Sequence, residues 1–182
     1  MPSIVISEII MIEIDNTIIL KAAIKDEQAF KKVYDHYAPP VWRVIYRTSN
    51  SERNEAIEIL RETFIKVYSS LHEFPFNSGL SIWIYRIAFN AAKTSIQKNQ
   101  KHWTTMEFDD EGYWNNKGDT ANKTTDTGSF LLAKLSPEDR FILTSHIVEG
   151  LKFEELSEIT GESSIALRTK VSRIKEIIVP QL

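Results

Sequence analysis

The chain contains no cysteine, which removes disulfide scaffolds, cysteine nucleophiles and thiolate zinc sites, and suits a reducing compartment. Histidine is scarce, and His36, His72, His102 and His146 stand far apart in sequence, which reads as surface or satisfied residues rather than metal ligands. No G-x-x-x-x-G-K-S/T, H-E-x-x-H, G-x-S-x-G or G-x-G-x-x-G pattern occurs, so phosphate cradles, zinc sites and nucleophile elbows have no support. No cofactor, metal or catalytic residue is expected. Long apolar runs are missing as well. Glu8, Glu13 and Asp15 interrupt the Ile-rich start and no basic residue precedes Lys21, unlike a secretory signal. No later segment reaches the roughly 20 apolar residues of a membrane-spanning helix. Membrane insertion is not expected, and a cytoplasmic location is.

What is present fits one medium or two small globular domains: 182 residues, 42% hydrophobic and 26% charged. The formal net charge of -3 hides an uneven distribution. Residues 41–102 carry nine basic side chains against five acidic ones, whereas residues 103–128 carry six acidic against two basic. The second of these blocks, WTTMEFDDEGYWNNKGDTANKTTDTG, has no helical or strand period and is longer than an ordinary connection inside a domain. It is expected to be a linker, with Phe108, Tyr113 and Trp114 packing on a neighbouring surface or, as the alternative, making a specific contact with a partner.

Strand signals are nearly absent, and four helices are predicted ahead of the linker. The first spans Asp26 to Tyr37, with Ala29, Phe30, Val33, Tyr34 and Tyr37 along one side; Pro39-Pro40 is expected to stop it and start the next. The second holds Trp42, Val44, Ile45 and Tyr46. Ser51 or Asn54 can cap the third, whose core row is Ile57, Leu60, Phe64, Val67 and Leu71 and whose other side is the strip Glu55, Glu58, Glu62 and Lys66. Taken by itself, that strip reads as a solvated face. After the loop HEFPFNSG, a fourth helix from about Leu80 to Gln97 buries Leu80, Trp83, Ile84, Ile87, Ala88 and Ala91. It projects Arg86, Asn90, Lys93 and Gln97 together at i, i+4, i+7 and i+11. With Phe74, Phe76 and Phe89 nearby to stack on unpaired bases, these side chains suit single-stranded nucleic acid, although an ordinary amphipathic helix has the same pattern.

Beyond the linker, LSPEDRFIL offers Ser136 as a cap, Pro137 at the first helical position, and Glu138 and Asp139 in the first turn. That helix should end near Val148, closed by Gly150. FEELSEIT, Gly161 and SSIALRTKVSRIKEII then have the form of a helix-turn-helix, whose second helix enters the major groove of DNA. Ser163 or Ser164 caps that helix, and Ile165, Leu167, Val171, Ile174 and Ile178 are available to pack it. Ser164, Arg168, Lys170, Ser172, Arg173 and Lys175 are left for DNA, with Arg168 the best candidate for guanine O6 and N7.

Three separated motifs, RETFIKVY, WIYRIAFNAA, and LKFEELSEITG followed by RTKVSRIK, appear in that order with a polar linker between. Together they resemble the extracytoplasmic-function (ECF) sigma factors, small sigma subunits of bacterial RNA polymerase. The resemblance implies an all-α protein of two small helical domains joined by a flexible polar linker: a four-helix sigma domain 2 over 20–102 and a helix-turn-helix sigma domain 4 over 129–182. It implies core RNA polymerase and promoter DNA as partners, with an anti-sigma factor as a further one, and no reaction on the chain itself. By the family pattern, Glu55, Glu58, Glu62 and Thr63 face the polymerase clamp, which changes the reading of the acidic strip. Phe74, Phe76, Asn77, Ser78, Arg86, Asn90 and Lys93 become candidates for the melted -10 strand, and the last helix for the -35 duplex. A free-standing helix-turn-helix regulator that never touches polymerase is the alternative.

The departures from the family pattern are Phe89, where Arg or a small polar residue is common; Thr94, where Asp is usual; Glu162 and Ser163, where an apolar residue and Pro are typical; and Ala166 in place of Thr. Glu162 near DNA phosphates is unfavourable unless it points away. Residues 1–19 lie outside the resemblance and are open to three readings: a disordered tail, an added packing segment, or a partly misassigned start with Met11 as the first residue. The tandem arrangement would fail if both halves were fused about one continuous interior with the second helix of the terminal hairpin entombed in it.

Overall fold

The computed structural model describes residues 14–49, 52–103, 132 and 134–178. Among them the regular elements are helical. An N-terminal unit contains α1 (Asn16–Ala23), α2 (Glu27–Thr48), α3 (Arg53–Ser70), a 3-10 turn (Leu71–Glu73) and α4 (Leu80–Trp103). A C-terminal unit contains α5 (Pro137–Ile147), α6 (Phe153–Thr160) and α7 (Ser164–Ile178). The linker of residues 103–128, with Phe108, Tyr113 and Trp114, falls outside the described residues apart from Trp103 at the end of α4.

Local chemistry sets several helix starts. Asp15 accepts from the Thr17 amide at 2.6 Å, and Asp26 from the Ala29 amide at 2.8 Å, each satisfying an amide that the first turn leaves without a partner. Hydrogen bonds from Thr17, its side chain first and its amide second, hold the Asp15 carboxyl below its ordinary pKa. Ser136 does the same for Asp139 at 3.1 Å, with Pro137 opening α5 as expected. Asn54 does not cap α3 but lies within its first turn; the residue ahead of the helix is Glu52, which makes no side-chain capping bond, and the other candidate, Ser51, lies outside the described residues.

The predicted break at Pro39-Pro40 is absent, because α2 runs unbroken from Glu27 to Thr48. Two consecutive prolines remove the donors to the carbonyls of Asp35 and His36. Asp35 and Pro39 are solvent-exposed, so water can take the place of the lost helical bonds on that side. On the opposite side Val33, Tyr37, Val41, Val44 and Ile45 bury one continuous stripe, and packing along that stripe holds the helix through the break. Edge-to-face pairs Phe30–Tyr68 and Tyr34–Phe64, both 4.8 Å between ring centroids, fasten α2 to α3. Lys25, in the left-handed region between α1 and α2, donates to the Tyr68 carbonyl and so satisfies an acceptor at the end of α3.

Helix α1 packs on α2 and buries Ile19 and Ala22, so the end of the N-terminal extension is an added packing segment; residues 1–13 lie outside the described residues. In α3 the buried row is Ala56, Ile59, Thr63, Phe64 and Val67, and Ile57, expected in the core, is exposed. The 3-4 spacing admits either row, and contact with α2 and α4 selects the one that includes the small residues.

The two units share one contiguous hydrophobic core. Helix α5 packs on α2 and α4, and α6 packs on α4. The fourth helix therefore buries a second stripe, Tyr85, Phe89 and Ala92, beyond the one predicted. Phe89 meets Phe141 of α5 edge-to-face at 5.0 Å. This departure from the family pattern thus has a packing role: an aromatic ring stands where a polar side chain would face the other unit. At the same junction Arg43 donates from Nε and Nη2 to both carboxylate oxygens of Glu149, at 2.7 and 2.8 Å. The Glu149 side chain is only 1% exposed, so this bidentate pair is its compensation for leaving water. The pair raises the Arg43 pKa, while burial first and Glu149 second push the Tyr85 hydroxyl well above its ordinary value.

Arg43→Ala should destabilise the chain by about 2–4 kcal/mol, below the top of the range for broken buried pairs because Arg43 keeps one side in water. Urea denaturation of Arg43→Ala, Glu149→Ala and the double variant tests this: the double variant should lose clearly less than the two single losses together. Strict additivity would mean that the pair carries no coupling.

Candidate nucleic-acid interface

Three surfaces are offered by the fold. The first lies on α3. Glu58 and Glu62 are exposed, Glu55 is half-buried, and Arg61 stands 3.7 Å from Glu58. Ile57 and Ile65 are exposed on the same helix, giving it a mixed apolar and charged outer face. Thr63 does not belong to that face. It is fully buried and donates its hydroxyl to the Ile59 carbonyl at 2.7 Å, the helix-internal bond open to a threonine facing the core. Glu55 also lends favourable charge to Arg140 of α5, whose guanidinium loses basicity through burial.

The second surface is the loop before α4 and the outer side of that helix. Phe74 is buried and packs on Phe76 at 4.7 Å and Trp83 at 5.6 Å, so it is a platform beneath the loop and not a free stacking ring. Phe89 is likewise withdrawn, against Phe141. Phe76 is 46% exposed and held at φ 55, a conformation costly for a bulky residue and characteristic of functional loops. Beside it, a groove of about 300 Å³ is lined by Asn16, Tyr37, Phe76, Asn77 and Ser78 among others. Asn16, from α1, belongs to a segment outside the family motifs and carries no sequence signal for this role; only the packing of α1 against α2 brings it here.

Arg86, Asn90 and Lys93 are all exposed, in the line that the i, i+4, i+7 spacing predicted. Two of them are engaged with the other unit. Arg86 donates from Nε to the Glu158 carbonyl at 2.9 Å, and Lys93 lies 3.6 Å from Glu138. Such exposed contacts are weak and exchangeable.

The third surface is the helix-turn-helix of α6 and α7. Gly161 turns the chain with φ +80, the left-handed conformation that favours glycine, and Ser163 caps α7 by accepting from the Ala166 amide at 3.2 Å. Leu167, Val171 and Ile174 are buried, so α7 is anchored by one side and open on the other: the interior is continuous between the units, but this helix is not entombed in it. Arg168, Ser172, Arg173 and Lys175 are exposed and Ser164 is half-buried. Arg168 lies 5.4 Å above the Phe153 ring and 3.8 Å from Glu154, drawn toward α6. Lys170 is less free than its sequence position suggested. It pairs with Glu162 at 2.7 Å and Asp139 at 3.7 Å; burial opposes its charge, but the two carboxylates outweigh that and raise its pKa. Glu162 is thereby neutralised by its own helix-turn-helix.

Ile165, expected to pack α7, is instead 78% exposed. Counted from Leu167 at about 100° per residue, Ile165, Thr169 and Ser172 lie opposite the core stripe, while Lys170 lies on the flank. That count was available from the sequence and identifies Ile165 and Thr169 as outward residues. Among the described residues no group of three or more His, Asp or Glu could hold a metal ion, and no helix is long and apolar enough to cross a membrane.

Known proteins match the same division of the chain. The family described as Sigma-70 region 2 matches residues 33–102, and Sigma-70, region 4 matches residues 130–178. The ECF RNA polymerase sigma-E factor of Haemophilus influenzae is 26% identical over 177 residues, covering 90% of this chain and 93% of that protein. The ECF RNA polymerase sigma factor SigW of Bacillus subtilis is 24% identical over 170 residues, covering 86% and 90%. Among solved structures, CnrH in complex with the cytosolic domain of CnrY has a similar fold, with a TM-score of 0.68 at 14% identity over 92% of this chain and 96% of that one.

The two loop phenylalanines should separate in a stability measurement. Phe74→Ala should cost about 3–5 kcal/mol, as for other buried rings, and Phe76→Ala less than about 1 kcal/mol. Equal losses in urea unfolding would contradict their different burial.

Proposed function

This chain belongs to the ECF sigma factors of the sigma-70 family, and from that premise we propose that it is a promoter-specificity subunit of RNA polymerase. It binds core polymerase, directs it to promoters and promotes strand opening. It performs no reaction of its own, and its place of action is the cytoplasm. The observation that carries this reading is the pairing, on one chain, of a basic helix beside an exposed aromatic loop with a helix-turn-helix whose outer face is free. A regulator acting without polymerase has no use for the first unit.

Glu58 and Glu62, with Glu55 at the edge, form the acidic part of the proposed polymerase-docking face on α3, and Ile57 and Ile65 add apolar contact beside them. Thr63 supports that face from within. The proposed -10 contacts are Phe76, Asn77, Ser78, Arg86, Asn90 and Lys93. A base leaves the stack at a cost of a few kcal/mol, after which its pairing edge can meet amides and its face an aromatic ring. The groove beside Phe76 has room for such a base. The proposed -35 contacts are Ser164, Arg168, Ser172, Arg173 and Lys175, with Lys170 bracing the turn. An anti-sigma factor is a further proposed partner, and the solved complex of CnrH with the cytosolic domain of CnrY gives that proposal a precedent of similar fold.

Glu62→Lys inverts charge on the docking face at an exposed position, so the fold should tolerate it. Binding to core polymerase should fall by roughly ten-fold or more, with a matching loss of promoter-directed transcripts in a single-round assay. Undiminished affinity would remove α3 from the interface.

A further inference from the structure

Helix α7 presents an apolar side chain where a base-reading residue belongs. Ile165 is the second residue of the helix, two positions past the Ser163 cap and within the first turn, and is 78% exposed. Isolated exposed isoleucines are common and mean little. Position gives this one its significance, because the leading turn of the second helix is the part of a helix-turn-helix that meets base edges. Thr169 stands one turn further along the same outward line, and its hydroxyl donates to the Ile165 carbonyl at 3.0 Å. With that donor committed inside the helix, Thr169 adds a methyl group and an acceptor to the line and no free proton.

The cations near this line are off its centre. Arg168 is held by Glu154 and the Phe153 ring, and Lys170 by Glu162 and Asp139. Beside the half-buried Ser164, the leading turn thus offers the major groove hydrocarbon, flanked by charge suited to phosphates. On the major-groove edge of DNA, the C5-methyl of thymine is the apolar feature that distinguishes one base from the others. We propose that Ile165, supported by Thr169, reads a thymine methyl in the upstream promoter duplex. This rests on the reading of α7 as the -35 helix and adds the base class that its first turn selects.

The test uses the full chain, alone at low salt and with core polymerase, first to select preferred duplexes from a random pool. The selected upstream site should contain a thymine whose replacement by deoxyuridine, which removes only the methyl, weakens wild-type binding by about three- to ten-fold. Ile165→Ala should bind the thymine duplex more weakly by a similar factor and be indifferent to that replacement. Ile165→Val should retain part of the discrimination, and unchanged helicity of both variants excludes unfolding as the cause. A site without thymine, or equal sensitivity of wild type and Ile165→Ala to deoxyuridine, would overturn the proposal. If neither format shows any sequence preference, the assignment of α7 as a DNA reader falls with it. If selective, methyl-dependent binding persists but core polymerase has no effect, the thymine contact stands and the sigma function fails.

Discussion

A carboxylate almost without contact with water, Glu149, is held by a guanidinium that lies on the other side of the linker in sequence, and the mutual placement of the two units turns on that pair. An unpaired charge at such a site would cost several kcal/mol, so Glu149 can stay where it is only with Arg43 beside it. Around this point the junction mixes strong and weak contacts. Phe89 and Phe141 supply aromatic packing, whereas Arg140 Nε and Nη1 and the Ser81, Thr144 and Ser145 hydroxyls are buried without a protein hydrogen-bond partner.

The same junction explains why the surfaces proposed for nucleic acid are not equally available. The outer face of α7 is free, with Ile165, Ser172 and Arg173 all exposed. On α4, Arg86 and Lys93 each touch the C-terminal unit as well as solvent. Those two side chains serve either the contact between units or a strand of nucleic acid, and a strand that engages both must displace the Glu158 carbonyl and the Glu138 carboxylate.

Much of this was legible in the sequence. Helix starts at Asp26 and Ser136, the left-handed turn at Gly161 and the open line of Arg86, Asn90 and Lys93 all follow from rules that act within a few residues, and the structure agrees with each. The errors came from longer-range effects. Pro39-Pro40 is a local signal to stop, outweighed by a buried stripe running through it. Thr63, Phe74 and Phe89 were assigned to partners by residue type and motif, yet each faces the interior because of what packs over it. For Phe89 the covering surface comes from α5, beyond the linker, and no period within α4 could reveal that. Ile165 is the reverse case, an apolar residue credited to the core by type although its angular position points outward.

Placement of charge across the seam also sets how it answers to ionic strength. Lys93–Glu138 sits at the wet margin, where dissolved ions screen it, while Arg43–Glu149 is sheltered on its acidic side and barely senses them. Concentrated electrolyte therefore strips the periphery before the centre. Under those conditions the halves stay joined by what ions do not screen, the Phe89–Phe141 packing and the shared apolar interior, with Arg43–Glu149 as the last charged tie.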